Sequence, residues 1–299
     1  MKKLFIVIPK FNGEKEIKDC LASLQLIKVP KGWEIRIIVV DNSNSDKKFP
    51  KSLNPYTPIP LNPYTPKSLY PYAPIFNQRN LGFAGGVNVG IREALKNGAE
   101  AVLLLNQDTK VEKDFLFPLL ENQADIVGPV IKFKRKGEWI YDFGGRINWW
   151  LGRNKHIELS NCQIVKLSNK NHLGRWSEGL PAGKAGTPPG WREIDYISGC
   201  AMMIRRGVFE KIGLFDERYF LYFEDADFCL RAKKAGFKIA VEPKSVIVHK
   251  LKEGKKKPFW QRWQLVKSNL IFINRWICWW RRPLAWGFWL GRGIKILIG

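Results

Sequence analysis

Leu4 to Ile8 is an unbroken apolar, β-branched run that stops at Pro9, the pattern of a buried strand. Between Glu14 and Leu26 the apolar residues Ile17, Leu21, Leu24 and Leu26 fall near helical spacing. A second strand is predicted at Ile35 to Val40, a second helix at Ala84 to Lys96 closed by Gly98, and a third strand at Ala101 to Leu105. From Tyr196 the alternation resumes. Cys200 to Ile204 reads as a strand, Gly207 to Ile212 as a short helix, and Glu224 to Lys234 as a helix closed by Gly236. Phe237 to Val241 and Val246 to Val248 read as two further strands. Strands apolar at nearly every position, separated by helices, predict an α/β fold with a mostly parallel sheet covered on both faces. In such sheets ligands bind beyond the carboxyl ends of the strands, so the residues just after each strand are the candidates for chemistry.

Two stretches interrupt this order. Residues 50–76 repeat a Pro/Tyr unit: Asn54-Pro-Tyr-Thr-Pro58, Asn62-Pro-Tyr-Thr-Pro66, Tyr70-Pro-Tyr-Ala-Pro74. Three such short copies cannot build a solenoid, and the expectation is an exposed, polyproline-like inserted loop. Residues 160–192, rich in Gly, Pro, Asn and Ser, are expected to form a surface excursion.

Charge changes the picture most at the C-terminus. The chain carries 50 Lys and Arg against 27 Asp and Glu, a net charge of +23, which implies an anionic partner. Residues 250–299 hold twelve of those basic residues against one acidic residue, Glu253, and seven of the thirteen tryptophans. Trp and aliphatic residues interleaved with cations suit the interface of an anionic membrane. Arg275, Arg281, Arg282, Arg292 and Lys295 interrupt every long apolar window, so residues 258–299 are expected to form amphipathic helices in the membrane plane, the alternative being a tail packed on the domain. The five cysteines are scattered without a CxxC pair and the first apolar run is too short for a secretory segment, pointing to reduced thiols in the cytoplasm, peripheral on the inner membrane face.

The strand ends carry polar residues of a particular kind. Pro9-Lys-Phe-Asn12 follows the first strand and Asp41-Asn-Ser the second. There Asp41 can accept from a nucleobase imide or ribose hydroxyl, or cap a turn. Asn80-Leu-Gly82-Phe-Ala-Gly-Gly86 opens the second helix, where amides and helix dipole favour a diphosphate, although the spacing is neither a P-loop nor GxGxxG. Asn106-Gln107-Asp108 ends the third strand, where a carboxylate suits Mg²⁺ or Mn²⁺ bridging diphosphate oxygens, or the N-cap of a helix at Glu112. An aromatic run, Tyr219 to Phe223, precedes Glu224-Asp225-Ala-Asp227. Beside an apolar wall such a carboxylate becomes a base, and Asp227 has Arg231 one turn on as an ion-pair partner. His249 ends the last strand, either structural or beside a metal.

The order of these pieces resembles glycosyltransferase family 2, in its rhamnosyltransferase and galactofuranosyltransferase-like branch. Its motifs are Pro-x-Phe-Asn, Asp-Asn-x-Ser-x-Asp, Asn-Leu-Gly-Phe-Ala-Gly-Gly, Asn-Gln-Asp, Ser198-Gly-Cys-Ala-Met-Met-Ile-Arg, Phe-Glu-Asp-Ala-Asp and a strand-end His. The resemblance implies an inverting enzyme of GT-A fold over residues 1–250, with 1–130 the nucleotide-sugar half and 131–250 the acceptor half, followed by the basic tail 251–299. It implies that Pro9, Asn12 and Asp41 hold base and ribose, that Asn80 and Gly82 line the diphosphate side, and that Asn106 and Gln107, standing with Asp108 where the family has its Asp-x-Asp motif, also bind the nucleotide sugar. It further implies that Asp108 and His249 bind Mg²⁺ or Mn²⁺, and that Asp225, with Glu224 beside it, is the catalytic base. The partners implied are a nucleotide-diphospho-sugar, best dTDP-rhamnose, and a lipid-linked or glycan acceptor. The rival readings are an inactive relative or a basic membrane- or nucleic-acid-binding scaffold. No nucleic-acid module is visible, and the Gly-rich element lies in the wrong place for a dinucleotide-dependent oxidoreductase.

Overall fold

The computed structural model describes residues 1–43, 72–160, 194–251 and 257–298. The first two copies of the Pro/Tyr repeat, nearly all of the 160–192 stretch and Cys162 lie outside the described residues. The strands are β1 (Lys2–Lys10), β2 (Trp33–Asp41), β3 (Tyr72–Phe76), β4 (Ala101–Leu105), β5 (Thr109–Val111), β6 (Ile126–Arg135), β7 (Glu138–Asn148), β8 (Arg153–Ser160), β9 (Ala201–Arg205) and β10 (Ile239–His249). The helices are α1 (Glu14–Leu24), α2 (Gly82–Lys96), α3 (Leu116–Glu121), α4 (Arg206–Ile212), α5 (Glu224–Lys234), α6 (Phe259–Trp276) and α7 (Arg282–Ile298).

One sheet runs in the order β3-β2-β1-β4-β9-β6-β10-β5, with the β7–β8 hairpin leaving it at β6. β3, β2, β1 and β4 are mutually parallel, whereas β9 runs antiparallel between β4 and β6. The first half is therefore the expected parallel unit and the second half is mixed. Successive side chains of β1 enter opposite layers. Leu4, Ile6 and Ile8 pack with Ile17, Cys20 and Leu24 of α1, and Phe5 and Val7 pack with Ala84, Val87 and Ile91 of α2. That two-sided burial is why the strand reads as a continuous apolar run.

Four regions depart from expectation. The last repeat copy ends in β3 instead of a loop, parallel to β2 at the sheet edge, where Pro74's missing N–H is tolerated. The two expected terminal strands are one, β10, kinked between Glu242 and Val246 where Pro243 interrupts the ladder. The β7–β8 hairpin had no counterpart in the hydrophobic pattern, because its outward aromatics mask the alternation. Trp139 and Tyr141 lie under the Lys132 ammonium, 4.5 and 5.3 Å from it.

The tail also differs. α6 is packed on the domain through one face instead of lying free. Phe272 is fully buried and meets the Phe223 ring at 5.1 Å, the Ser268 hydroxyl donates to the Leu221 carbonyl (2.8 Å), and Asn269 Nδ2 donates to the Gly152 carbonyl (2.7 Å). Among the described residues no helix is long and apolar enough to cross a membrane.

Candidate active site

The ends of β1 and β2 are joined by a buried ion pair. Register pairs Lys10 with Asp41 across the parallel strands. Lys10 Nζ donates to Asp41 Oδ2 at 2.8 Å, with both side chains nearly inaccessible at 2% and 4% exposed. Asp41 Oδ1 accepts from the Ser43 amide (2.8 Å), and the Ser43 hydroxyl accepts from the Asn12 amide (2.8 Å). The Asn12 backbone and the Asp41 side chain thus meet through Ser43 at the strand ends, one residue or more beyond Pro9. Lys10, which the sequence reading passed over, holds those ends together. A buried lysine is costly unless paired, so the pair is interdependent.

The Gly-rich element opens α2 with its first two amides turned to acceptors of the protein itself. The Asn80 side-chain oxygen accepts from the Gly82 amide (2.9 Å), and the Phe83 amide donates to the Phe220 carbonyl (2.7 Å). Gly82 sits at φ +75°, and a Cβ there would collide with that same carbonyl, so glycine is required for close approach of the 213–223 loop. Asn42 Nδ2 donates to the Gly82 carbonyl (2.8 Å), which locks β2 to α2. The Gly82 and Phe83 amides are thus engaged within the protein, by Asn80 and Phe220 respectively.

At the end of β4 the three polar residues divide their tasks. The Asn106 amide donates to the Cys200 carbonyl (2.8 Å). Gln107 clamps the backbone of Phe11: its Oε1 accepts from the Phe11 amide (2.9 Å) and its Nε2 donates to the Phe11 carbonyl (3.1 Å). Both polar atoms of Gln107 thus contact the Phe11 backbone. Asp108 does not cap a helix, because β5 follows and α3 begins only at Leu116. Antiparallel pairing of β5 with β10 sets Thr109 opposite His249 and brings Asp108 Oδ1 to 3.1 Å from His249 Nε2, across 141 positions of sequence. Burial works against a charge on the His249 ring, but the Cys200 sulfur and the Asp108 carboxylate outweigh it and raise its pKa. Both side chains remain partly accessible, at 29% and 16%. A carboxylate oxygen and an imidazole nitrogen facing each other with an open side fit a six-coordinate divalent cation that keeps waters and phosphate oxygens as its other ligands. No cluster of three or more such ligands occurs among the described residues.

The acid pair opens α5. Tyr222 and Phe223, neither of them glycine, adopt left-handed backbones at φ 72° and 68° immediately before it. Consecutive strained residues are tolerated where the surroundings fix them, and here they aim the first turn of α5. Asp225 Oδ2 accepts from the Gly199 amide (3.0 Å) and Oδ1 from the Ala226 amide (2.8 Å). Burial raises its pKa, and those two amides and the charge of His156 only partly offset the rise. Glu224 is buried, its Oε2 has no hydrogen-bond partner among the described residues, and burial with the adjacent Asp225 charge pushes its pKa well up. Asp227 is structural: fully buried, it pairs with Arg231 (2.9 Å) as expected and accepts from Trp276 Nε1 of α6 (2.8 Å).

The Ser198-Gly-Cys200 turn unites these pieces. Its Gly199 amide holds Asp225, while its Cys200 carbonyl holds the Asn106 amide, two residues before Asp108. The base candidate and the Asp108–His249 pair thus share one turn.

A second histidine enters from the hairpin that the pattern missed. His156 Nδ1 lies 2.7 Å from the buried Asp142 carboxylate, and its ring meets Tyr196 edge-on at 5.4 Å. Burial would lower its pKa, but the Asp142 hydrogen bond outweighs it and the ring's pKa is raised. Nothing in the local sequence marks His156. Only the register of β7 with β8 places it near Asp225.

Comparison with known proteins fits this geometry. A family model described as Glycosyl transferase family 2 matches residues 5–213. The N-acetylglucosaminyl-diphospho-decaprenol L-rhamnosyltransferase of Mycobacterium tuberculosis is 38% identical over 100 residues, covering 33% of this chain and 33% of that protein. The dTDP-rhamnosyl transferase RfbF of Shigella flexneri is 28% identical over 177 residues, 57% of this chain and 49% of its own length. The chain therefore spans a third to a half of these relatives. Among solved structures, GalNAc-T7 with UDP, GalNAc and Mn²⁺ superposes at a TM-score of 0.64 and 14% identity, over 91% of this chain and 48% of that one. The mannosyltransferase PcManGT of Pyrobaculum calidifontis, with GDP-Man and Mn²⁺, superposes at 0.55 and 14% identity, over 98% and 71%. At these identities the likeness shows the fold, which is of GT-A type.

Proposed function

The chain belongs to glycosyl transferase family 2, and on that premise we propose that it is an inverting glycosyltransferase. It moves a sugar, best L-rhamnose from dTDP-rhamnose, from a nucleotide-diphosphate donor to a lipid-linked or glycan acceptor. The observation that carries the reading is the single turn at residues 198–200, which joins Asp225 to the Asp108–His249 pair. The names of the rhamnosyl-transferring relatives favour the donor, and the decaprenol-diphosphate relative favours a lipid-linked acceptor.

Asp225 accepts the proton of the acceptor hydroxyl as that oxygen bonds to the anomeric carbon. The bond from that carbon to the diphosphate oxygen breaks on the opposite face, the nucleoside diphosphate leaves with the electron pair, and configuration inverts. Its raised pKa makes Asp225 a stronger base than an exposed carboxylate, and the Gly199 and Ala226 amides fix its direction. Burial and the like charge of Asp225 push the pKa of Glu224 well up, so that ionisation of both carboxyls together is disfavoured and the pair holds a transferred proton more strongly. Asp108 and His249 are the residues that would hold Mg²⁺ or Mn²⁺. When bound, the cation offsets the negative charge of the diphosphate. The basic tail, residues 258–299, keeps the protein peripheral on the inner face of the membrane, near such an acceptor.

The test is thermal stabilisation by a panel of nucleotide sugars with and without Mg²⁺ or Mn²⁺, repeated on Asp108→Ala. A donor at about 100 times its dissociation constant stabilises by roughly 2.7 kcal/mol. A shift by one nucleotide sugar that needs metal and is lost in Asp108→Ala supports the reading. No shift from any donor sinks it.

A further inference from the structure

Trp280 of the tail, half exposed, meets the catalytic domain. The turn joining β7 to β8 carries Trp149 and Trp150, 37% and 52% exposed. The Asn148 side chain shapes this turn, its oxygen accepting from the Trp150 and Leu151 amides at 3.0 Å each. Trp150 meets Trp280, also 52% exposed, edge-on at 5.6 Å. Between them lies the Arg281 guanidinium, 4.1 Å from the Trp150 ring and 4.4 Å from the Trp280 ring. Among the described residues no acidic side chain pairs with Arg281.

This junction is fixed. Trp289 Nε1 donates to the Leu151 carbonyl (3.0 Å) and Asn269 Nδ2 to the Gly152 carbonyl (2.7 Å). Gly152, at φ +59°, has Ile273 and Ile277 packed where a Cβ would stand, so the hairpin tip, α6 and α7 meet without a gap.

α7 presents the same chemistry on its outer side. Ala285 and Trp289 face inward and are buried, while the outward positions are Pro283, Leu284, Trp286, Gly287, Leu290 and Gly291. Leu284 and Leu290 are 55% and 68% exposed. No charged residue occurs from 283 to 291, whereas Arg282 and Arg292 bracket the run. A helix apolar on both sides needs a second apolar phase. One flanked by arginines and rimmed with indoles matches the interface of an anionic bilayer, where indole rings lie at headgroup depth and cations meet phosphates. Charge decides the occupant. The segment 250–299 has one acidic residue against twelve basic ones, so a second copy of this face would meet it with like charge.

We propose that the β7–β8 hairpin tip, the 279–281 turn and the outer face of α7 form one surface that seats the catalytic domain on an anionic lipid bilayer. It rests on the membrane reading of the tail and extends it to a part of the domain itself. The hairpin that places His156 near Asp225 then also touches the bilayer. Docking therefore sets the height and tilt of the acceptor side above the lipid, instead of tethering the domain at the end of a flexible strap.

The experiment uses the full chain with vesicles of phosphatidylcholine alone or mixed with phosphatidylglycerol. It compares wild type with Trp150→Ser/Trp280→Ser and Leu284→Ser/Leu290→Ser. These positions are exposed, and unchanged thermal melting confirms that each variant folds. The expected result is binding to the anionic vesicles only, weakened about tenfold or more in both variants, with donor-induced stabilisation unchanged. Variants that sediment with vesicles as wild type does would overturn the proposal. So would a wild-type dimer that ignores vesicles and that Trp150→Ser/Trp280→Ser converts to monomer. Vesicle binding through this face without stabilisation by any nucleotide sugar leaves the surface standing and removes the transferase reading.

Discussion

Two carboxylates at the same edge of the sheet are treated in opposite ways. Asp41, at the end of β2, is neutralised by a buried ammonium and a backbone amide, and its charge is spent holding two strand ends together. Asp225, at the start of α5, is held by backbone amides, has next to it in sequence a buried carboxyl group whose Oε2 has no hydrogen-bond partner among the described residues, and is left partly open to solvent. Burial without a contacting cation raises the affinity of Asp225 for a proton. The difference separates a carboxylate that builds a site from one that works in it. A catalytic base must be held in place without being satisfied, and backbone amides orient it without the full neutralisation of a salt bridge.

Asp225→Asn should have the largest effect. Transfer should fall by about 10²- to 10⁴-fold, the usual worth of a positioned base. Donor-induced thermal stabilisation should persist. Steady-state turnover beside a thermal-shift titration reads both, and near wild-type turnover would remove Asp225 from its role.

Next in size is Lys10→Met. Leaving Asp41 buried and unpaired should cost about 3–5 kcal/mol, seen as a lowered urea midpoint. Lys10→Met with Asp41→Leu should recover most of that stability while remaining poor in donor binding. A single variant as stable as wild type would show that the buried pair is not what closes the strand-end loop.

The smallest effect is expected from His156→Asn. A protonated His156 lowers the pKa of Asp225, so its removal should raise that pKa. The acid limb of kcat/KM, which reports the base in the free enzyme, should move to higher pH, with turnover on the plateau reduced about tenfold or less. Asp142→Asn should shift it the same way, because it removes the hydrogen bond that keeps His156 protonated. An unmoved acid limb in both variants would show that His156 supports only the packing of Tyr196.

The periodic elements were legible because their signals are local. The run at Leu4–Ile8, the spacing of Ile17, Leu21 and Leu24, and the strand at Ala101–Leu105 each encode burial in their own neighbours, and the fold realises all three. The β7–β8 hairpin was not, because Trp139 and Tyr141 are apolar yet face out under Lys132, which erases the period of two. At the site, Asp108, Asp225 and His249 stood out as polar residues at the ends of apolar strands or beside an aromatic run. Lys10 and His156 did not, since a lysine after a strand and a lone histidine in a polar segment are ordinary sequence.

The family, the α/β alternation, the placement of acids at strand and helix ends, and the concentration of charge and tryptophan in the tail are all written along the chain. Those are properties of neighbouring residues, and solvent preference alone writes them. Only the tertiary structure decided which residues meet. The β5–β10 register set His249 against Asp108. The turn at Ser198–Cys200 tied that pair to Asp225, and the hairpin carried Trp150 to Trp280. Those contacts join residues tens to more than a hundred positions apart. Their partners are chosen by sheet order and packing, which no local pattern of polarity encodes.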